Sequence, residues 1–274
     1  DGATRPRSFG FLRNFTVAGC VSGLLLAAYV IAFVKSLRGR WFNPDWSTDD
    51  AVQQTYPFWD AIYPGLFDND LITEVMTGYL PPVHYWLSYG FTLITKDPVM
   101  TGHWVMLIQL ALALGFAFMA VRALSSAVPA AMAVLWLLHS RNSMQRITGG
   151  LPRGWTPAIF AAFLFCAATK RHWAALSVIL VGLMLNPPGA LMVGVAYGAL
   201  LLWRYLSTAG EARLAARKNL VLALAVSPLF LVVALSVVQR PAHIGQMVSL
   251  SEAASMPEFQ RPHGRFPFLP LKPV

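Results

Sequence analysis

The sequence predicts an all-α, polytopic membrane protein with about seven transmembrane helices and a long first extracytoplasmic loop that carries interfacial helices. Three observations predict it. Of 274 residues, 56% are hydrophobic and only 12% charged, half the roughly 25% charge of a soluble domain. Mean hydropathy is +0.54. The charges are also segregated, so that long uncharged runs alternate with short polar stretches, and a bilayer span takes about 20 residues. This composition excludes a soluble globular enzyme, a disordered chain and a secreted disulfide scaffold.

The spans follow from the uncharged runs. Residues 15–34 lie between Arg13 and Lys35 with no small-residue cleavage site after them, which reads as an anchor. Residues 99–121, 123–138 and 154–169 follow. The run 173–203 is interrupted by Asn186-Pro187-Pro188-Gly189, a turn signal that divides it into two short helices. Residues 220–238 close the series. Residues 81–94, PPVHYWLSYGFTLI, are shorter than a span and carry His84, Ser88 and Thr92, which suits an interfacial or re-entrant helix.

Counting Lys and Arg sets the topology. With seven spans and a cytoplasmic N-terminus, the inner stretches hold Arg5, Arg7, Arg13, Arg122, Lys170, Arg171, Arg204, Arg213, Arg217 and Lys218. The short second outside loop holds only Arg141, Arg146 and Arg153. Making residues 81–94 a span sends Arg122, Lys170, Arg171 and the group from Arg204 to Lys218 outside, against the positive-inside rule. The net charge of +9, 21 basic against 12 acidic residues, is therefore topological, and no nucleic-acid partner is implied. The group from Arg204 to Lys218 suits anionic lipid, and Trp104, Trp155, Trp173 and Trp203 fall near span ends as an aromatic belt. Cys20 and Cys166 lie within apolar runs as small core residues. The expected organisation is a transmembrane module over residues 1–240, with outside loops at 35–101 and 139–154. An extracytoplasmic proline-rich tail follows at 241–274. The chain begins at Asp1 and ends in a proline-rich stretch, so continuation beyond either end is expected. The expected location is the bacterial inner membrane.

The first outside loop concentrates the acids. Asp45, Asp49, Asp50, Asp60, Asp68, Asp70, Glu74 and Asp97 are eight of the twelve in the chain. Aromatic residues interleave with them (Trp41, Phe42, Trp46, Tyr56, Phe58, Trp59, Tyr63, Phe67), so the loop is expected to pack on the membrane face as short amphipathic helices. Asp49 and Asp50 stand where Ser47 or Thr48 can cap a helix, and carboxylates at a helix start are favoured by its dipole. The same acids, held at the membrane surface, suit a general base or a metal ligand.

An acidic pair after the first span, then Gln53 to Tyr56, then Leu80-Pro81-Pro82-Val83-His84-Tyr85-Trp86-Leu87, resembles the GT-C glycosyltransferase superfamily. That superfamily includes the protein O-mannosyltransferases and the lipid A aminoarabinose transferases. The resemblance covers about residues 10–240, with residues 81–87 its most specific part. It implies a seven-span module that moves a sugar from a polyprenyl-phosphate carrier to an acceptor on the outer face. Asp49 matches the catalytic aspartate that deprotonates or orients the acceptor hydroxyl, and Asp50 stands where Glu is usual. His84 and Tyr85 fall in the motif and are expected at the substrate, and a divalent metal is an optional cofactor. Membrane lipids and other membrane subunits are the further expected partners.

The second outside loop, with Arg141, Arg146 and Arg153 and no acid, breaks the positive-inside rule. Headgroup phosphates can hold such arginines. The functional reading gives them the donor phosphate, which guanidinium groups match, while Gly149-Gly150 and Gly154 let backbone approach it. The resembled families carry an acid in this loop. Gln145 and Arg146 stand in its place, so a metal site built from two loops is not expected. A non-catalytic scaffold subunit of the same architecture is the alternative, and a transporter fits less well because no span interior carries an ionisable residue. His84, His103, His139 and His172 read as interfacial or hydrogen-bonded groups, since no pair has the i, i+4 spacing of a helical metal site.

Overall fold

The computed structural model describes residues 17–41, 43, 45, 47–238 and 249–256. Arg5, Arg7, Arg13, Phe42, Trp46, the start of the first apolar run and most of the proline-rich tail lie outside the described residues. The chain divides into two units, Asp1–Gln239 and Arg240–Val274. Every regular element among the described residues is helical.

In the first unit, α1 is Val17–Ser36 and α2 Arg38–Trp41; α3 is Asp49–Thr55, followed by a 3-10 turn at Tyr56–Ala61. Then come α4 Leu71–Gly78, α5 Pro82–Thr95, α6 Pro98–Leu124, α7 Ala127–His139 and α8 Arg141–Ile147. A second 3-10 turn, Pro152–Gly154, leads into α9 Trp155–Ala168, α10 His172–Leu185, α11 Pro187–Ser207 and α12 Gly210–Val238. Three of these, α6, α11 and α12, are long and apolar enough to cross a membrane; residues 23–36, α7 and α10 are apolar but shorter. Residues 81–94 fold as the single short helix α5, and the first loop is a series of short helices, as its composition implies. Where the sequence suggests a polar inner loop at 207–219, α12 already begins at Gly210. Arg213 there lies over the Tyr205 ring, 4.9 Å from its centroid, a cation–π contact that spares the charge an apolar setting.

Helix α6 is the central element. One face, through Val105, joins Ile159, Phe163, Leu176, Ile179, Val193 and Leu201 of α9, α10 and α11. The other, through Met106, Leu110 and Leu114, joins Val134 and Leu138 of α7 and Ile147 of α8, with Leu26, Val30 and Phe33 of α1 packed alongside. Small residues permit the close approach: Ala113, Ala120, Ala158, Ala161 and Ala162 are all buried, as van der Waals packing between helices in a bilayer requires. The outward faces are apolar, with Leu224, Leu231 and Val232 of α12 each 60% exposed or more. Cys20 differs from expectation, being exposed on α1, while Cys166 is buried.

The Asn186-Pro187-Pro188-Gly189 break reverses the chain. Gly182 faces Ala190 and Ile179 faces Gly194, and further down the pair His172 Nδ1 and the Tyr197 hydroxyl are 3.0 Å apart. Contacts at such widening separation make α10 and α11 an antiparallel pair. Asn186 is more than a turn residue, since its Nδ2 donates to Thr156 Oγ1 on α9 (2.6 Å) and sets the pair against α9.

The tightest junction joins the loop between α8 and α9 to α6. Gly149 and Gly150 have φ of 87° and 68°, conformations that side chains disfavour. A methyl on Gly149 would sit 2.8 Å from Ala51 Cβ, and one on Gly150 would collide with the Gly102 carbonyl. The second unit contributes the short helix α13, Leu250–Ser255. Its capping box has the Ser249 N–H donating to the Glu252 carboxylate (2.8 Å) and the Glu252 N–H donating to Ser249 Oγ (3.3 Å).

Gly150→Ala is expected to destabilise the purified protein by at least about 2 kcal/mol. Gly115→Ala, where nothing lies within 4 Å, is expected to be neutral or stabilising by up to about 1 kcal/mol. Thermal unfolding in detergent compares the two, and equal effects would contradict the packing described.

Candidate functional site: an acid and arginine cleft above an apolar groove

Local capping explains much of the acid cluster. Asp97 caps α6 by accepting from the Val99 N–H (2.8 Å). Asp70 caps α4 through the Thr73 N–H (3.0 Å), and the Thr73 hydroxyl and N–H together hold its carboxyl below the usual carboxylate range. Asp60 accepts from the Gly65 N–H (3.0 Å) in a turn. Asp49 and Asp50 differ. Thr48 caps α3 by accepting from the Ala51 N–H (3.3 Å), which leaves both carboxylates in the first turn and projecting from it.

Those two carboxylates face α8 and the loop that follows it. Thr48, Asp49 and Asp50 line an open cleft of about 710 Å³ together with Asn142, Gln145, Arg146, Thr148 and Arg153. Arg153 Nη1 lies 2.9 Å from Asp50 Oδ2, each side chain about half exposed. It is the ion pair found among the described residues. Arg146, in the last turn of α8, has no carboxylate partner among them. Asp49 is exposed, and its Oδ1 accepts the Asp50 N–H (2.8 Å).

A second cavity adjoins the first. It is an apolar groove of about 410 Å³ between α6, α7 and α9, walled by residues such as Ala117, Leu137, Phe160 and Leu164. Asn142 and Arg146 line the groove as well as the cleft. Of the charged residues of the cleft, Arg146 is the one that also lines the groove.

The other predicted site residues lie elsewhere. Arg141 is exposed at the start of α8 and does not line the cleft. Tyr85 packs in an aromatic cluster, 5.4 Å from Phe58 and 6.2 Å from Tyr89 between ring centroids. Burial, then Tyr89 and Asp60, pushes its hydroxyl pKa up. His84 is buried on α5, where its Nδ1 accepts from Trp155 Nε1 (3.1 Å). Burial drives the imidazole down to about 4, so it is neutral with its proton on Nε2. Trp155 is correspondingly buried and leaves the aromatic belt. Gly149-Gly150 brings backbone against Gly102 of α6 and against Thr48 and Ala51.

Gln109 was not anticipated. It is fully buried on α6, and its Nε2 donates to the Leu151 carbonyl (2.8 Å). Its Oε1 finds no donor among the described residues and lies where a methyl on Gly154 would stand. Gln109 and the His84–Trp155 bond therefore anchor the backbone on either side of Arg153. A signal existed, since Gln109 is the one amide in the run 99–121, and polar groups inside a span carry structural or functional weight. No group of three or more His, Cys, Asp or Glu residues suited to a metal occurs among the described residues, and Asp50 is already engaged by Arg153. The cleft offers a metal the carboxylates of Asp49 and Asp50 and the neutral oxygens of Thr48, Asn142, Gln145 and Thr148.

The depressed His84 pKa has a stability consequence. The unfolded chain protonates His84 near pH 6.5 and the folded chain only near 4, so the contribution of this group to stability is constant above about 6.5 and falls as pH drops through that window. The loss reaches about 3 kcal/mol at pH 4. His84→Gln keeps an acceptor for Trp155 without titrating, and its unfolding is expected to show a shallower acid slope than the wild type; equal slopes would contradict the buried neutral imidazole. No family model, curated protein or solved structure matches the chain.

Proposed function

We propose that this protein is an integral-membrane glycosyltransferase of GT-C type, moving a sugar from a polyprenyl-phosphate donor to an acceptor hydroxyl on the extracytoplasmic face. The observation that carries the reading is the junction at Arg146, where an apolar groove opens into a cleft that pairs two carboxylates with two guanidinium groups. An amphiphile with an anionic head fits that arrangement. Its chain lies in the groove, its phosphate meets Arg146 and Arg153, and its sugar reaches the carboxylates.

In this scheme Asp49, exposed and without an ion-pair partner among the described residues, takes or orients the proton of the acceptor hydroxyl. The acceptor oxygen bonds to the anomeric carbon as the bond from that carbon to the phosphate oxygen breaks. The electron pair leaves on the phosphate, where the arginines stabilise the developing charge. The orientation drawn from the Lys and Arg count belongs to the same proposal: about seven spans, a cytoplasmic N-terminus, the bacterial inner membrane and the cleft outside. One feature favours a non-catalytic scaffold instead, since the second loop brings no acid to the cleft.

Asp49→Asn in proteoliposomes supplied with labelled polyprenyl-phosphate hexoses and pentoses is expected to lower transfer at least about 100-fold with unfolding temperature unchanged. Full transfer by the variant would remove Asp49 from the chemistry. Binding of these donors by the wild type without any transfer would support the scaffold.

A further inference from the structure

The two arginines of the cleft are not equivalent. Arg153 is neutralised by Asp50 at 2.9 Å. Arg146 has no carboxylate partner among the described residues and stands where cleft and groove meet. The backbone under Arg153 is fixed, because Gln109 Nε2 holds the Leu151 carbonyl and Trp155 is tied to His84. The Arg153 side chain itself is about half exposed and can turn without moving that backbone.

We propose that Asp50 and Arg153 form a counter-ion latch, in which an anionic lipid headgroup seated at Arg146 takes Arg153 away from Asp50. The inference rests on the phosphate-lipid reading of the cleft. A guanidinium group accepts a phosphate in the same forked geometry as a carboxylate, and the single charge of a phosphodiester equals that of the carboxylate it replaces. A half-exposed ion pair contributes little to stability, so the exchange opposes binding only weakly. Its product is a rearranged cleft. The phosphate holds both arginines, and the Asp50 carboxylate is freed beside Asp49, on the side where a sugar and its acceptor arrive. Without donor, Arg153 keeps one of two adjacent carboxylates neutralised. The second carboxylate thus becomes available only when donor is bound.

Binding of farnesyl phosphate to the detergent-solubilised full chain, measured by thermophoresis with inorganic phosphate as the headgroup-only probe, separates the possibilities. Arg146→Gln is expected to weaken farnesyl phosphate binding at least about tenfold, and Arg153→Gln to weaken it less. Asp50→Asn, which removes the competitor for Arg153, is expected to tighten it about two- to fivefold, the range a half-exposed ion pair spans. In an Arg153→Gln background the same Asp50→Asn change is expected to have no effect. If it tightens binding equally in both backgrounds, Asp50 acts by general charge repulsion and the latch is wrong. Unchanged or weaker binding by Asp50→Asn alone also overturns it. If the wild type does not bind, or if Arg146→Gln binds like the wild type, the phosphate-lipid reading itself fails. Equal affinity for inorganic phosphate and farnesyl phosphate would deny the groove any part in binding.

Discussion

The close approach of the Gly149-Gly150 backbone to Gly102 on α6 and to Thr48 and Ala51 beside it is the constraint on which the rest depends. No side chain fits at these glycines, and the backbone dihedrals there exclude most residues in any case. Because the loop between α8 and α9 lies this near α3 and α6, the carboxylates of α3 and the guanidinium groups of α8 and the Pro152–Gly154 turn share one cleft. Gln109 extends the same junction downward, reaching from the core of α6 to the Leu151 carbonyl. A loop that rested less closely would separate the acids from the arginines by more than an ion pair spans.

Electrostatics then divide the cleft. One arginine is matched with a carboxylate, and the other stands over an apolar groove. One aspartate is engaged, and the other is exposed. The division leaves Arg146 at the junction of cleft and groove and Asp49 exposed in the cleft. Below, α9 walls the groove and also receives Asn186 from the α10–α11 turn, so the packing of the last helices and the shape of the groove are linked through Thr156.

Much of the helical framework was legible in the sequence. Uncharged runs mark α6, α7, α9, α10 and α11 to within a few residues, and two prolines with a glycine mark the reversal at Asn186. The Lys and Arg count puts the loops of Asp49, Asp50, Arg146 and Arg153 on one expected side, and in the structure these side chains line one cleft. Three things were not legible. Glycines in a loop read equally as a ligand cradle or as a packing device, and only the neighbours of Gly149 and Gly150 decide. His84 sits in the most distinctive motif, yet its partner Trp155 is 71 positions away, a pairing that no local pattern encodes. Arg141 resembles Arg146 in composition and surroundings, but the helical turn of α8 puts one on the cleft wall and the other off it. The seven-span count goes beyond the three helices that meet the length and hydropathy of a crossing, since α7, α9 and α10 have 13 to 14 residues each.

The central claim is that the groove and the cleft together hold one anionic amphiphile. The most direct measurement is photo-crosslinking of the protein in native-lipid nanodiscs with a polyprenyl phosphate bearing a diazirine in its chain, followed by peptide mapping. The account predicts labels on α9, at Phe160 and Leu164, and on the facing part of α7 near Leu137, all suppressed by unlabelled polyprenyl phosphate. Labels spread over the outward faces of α12 and α1, and unaffected by competitor, would contradict it.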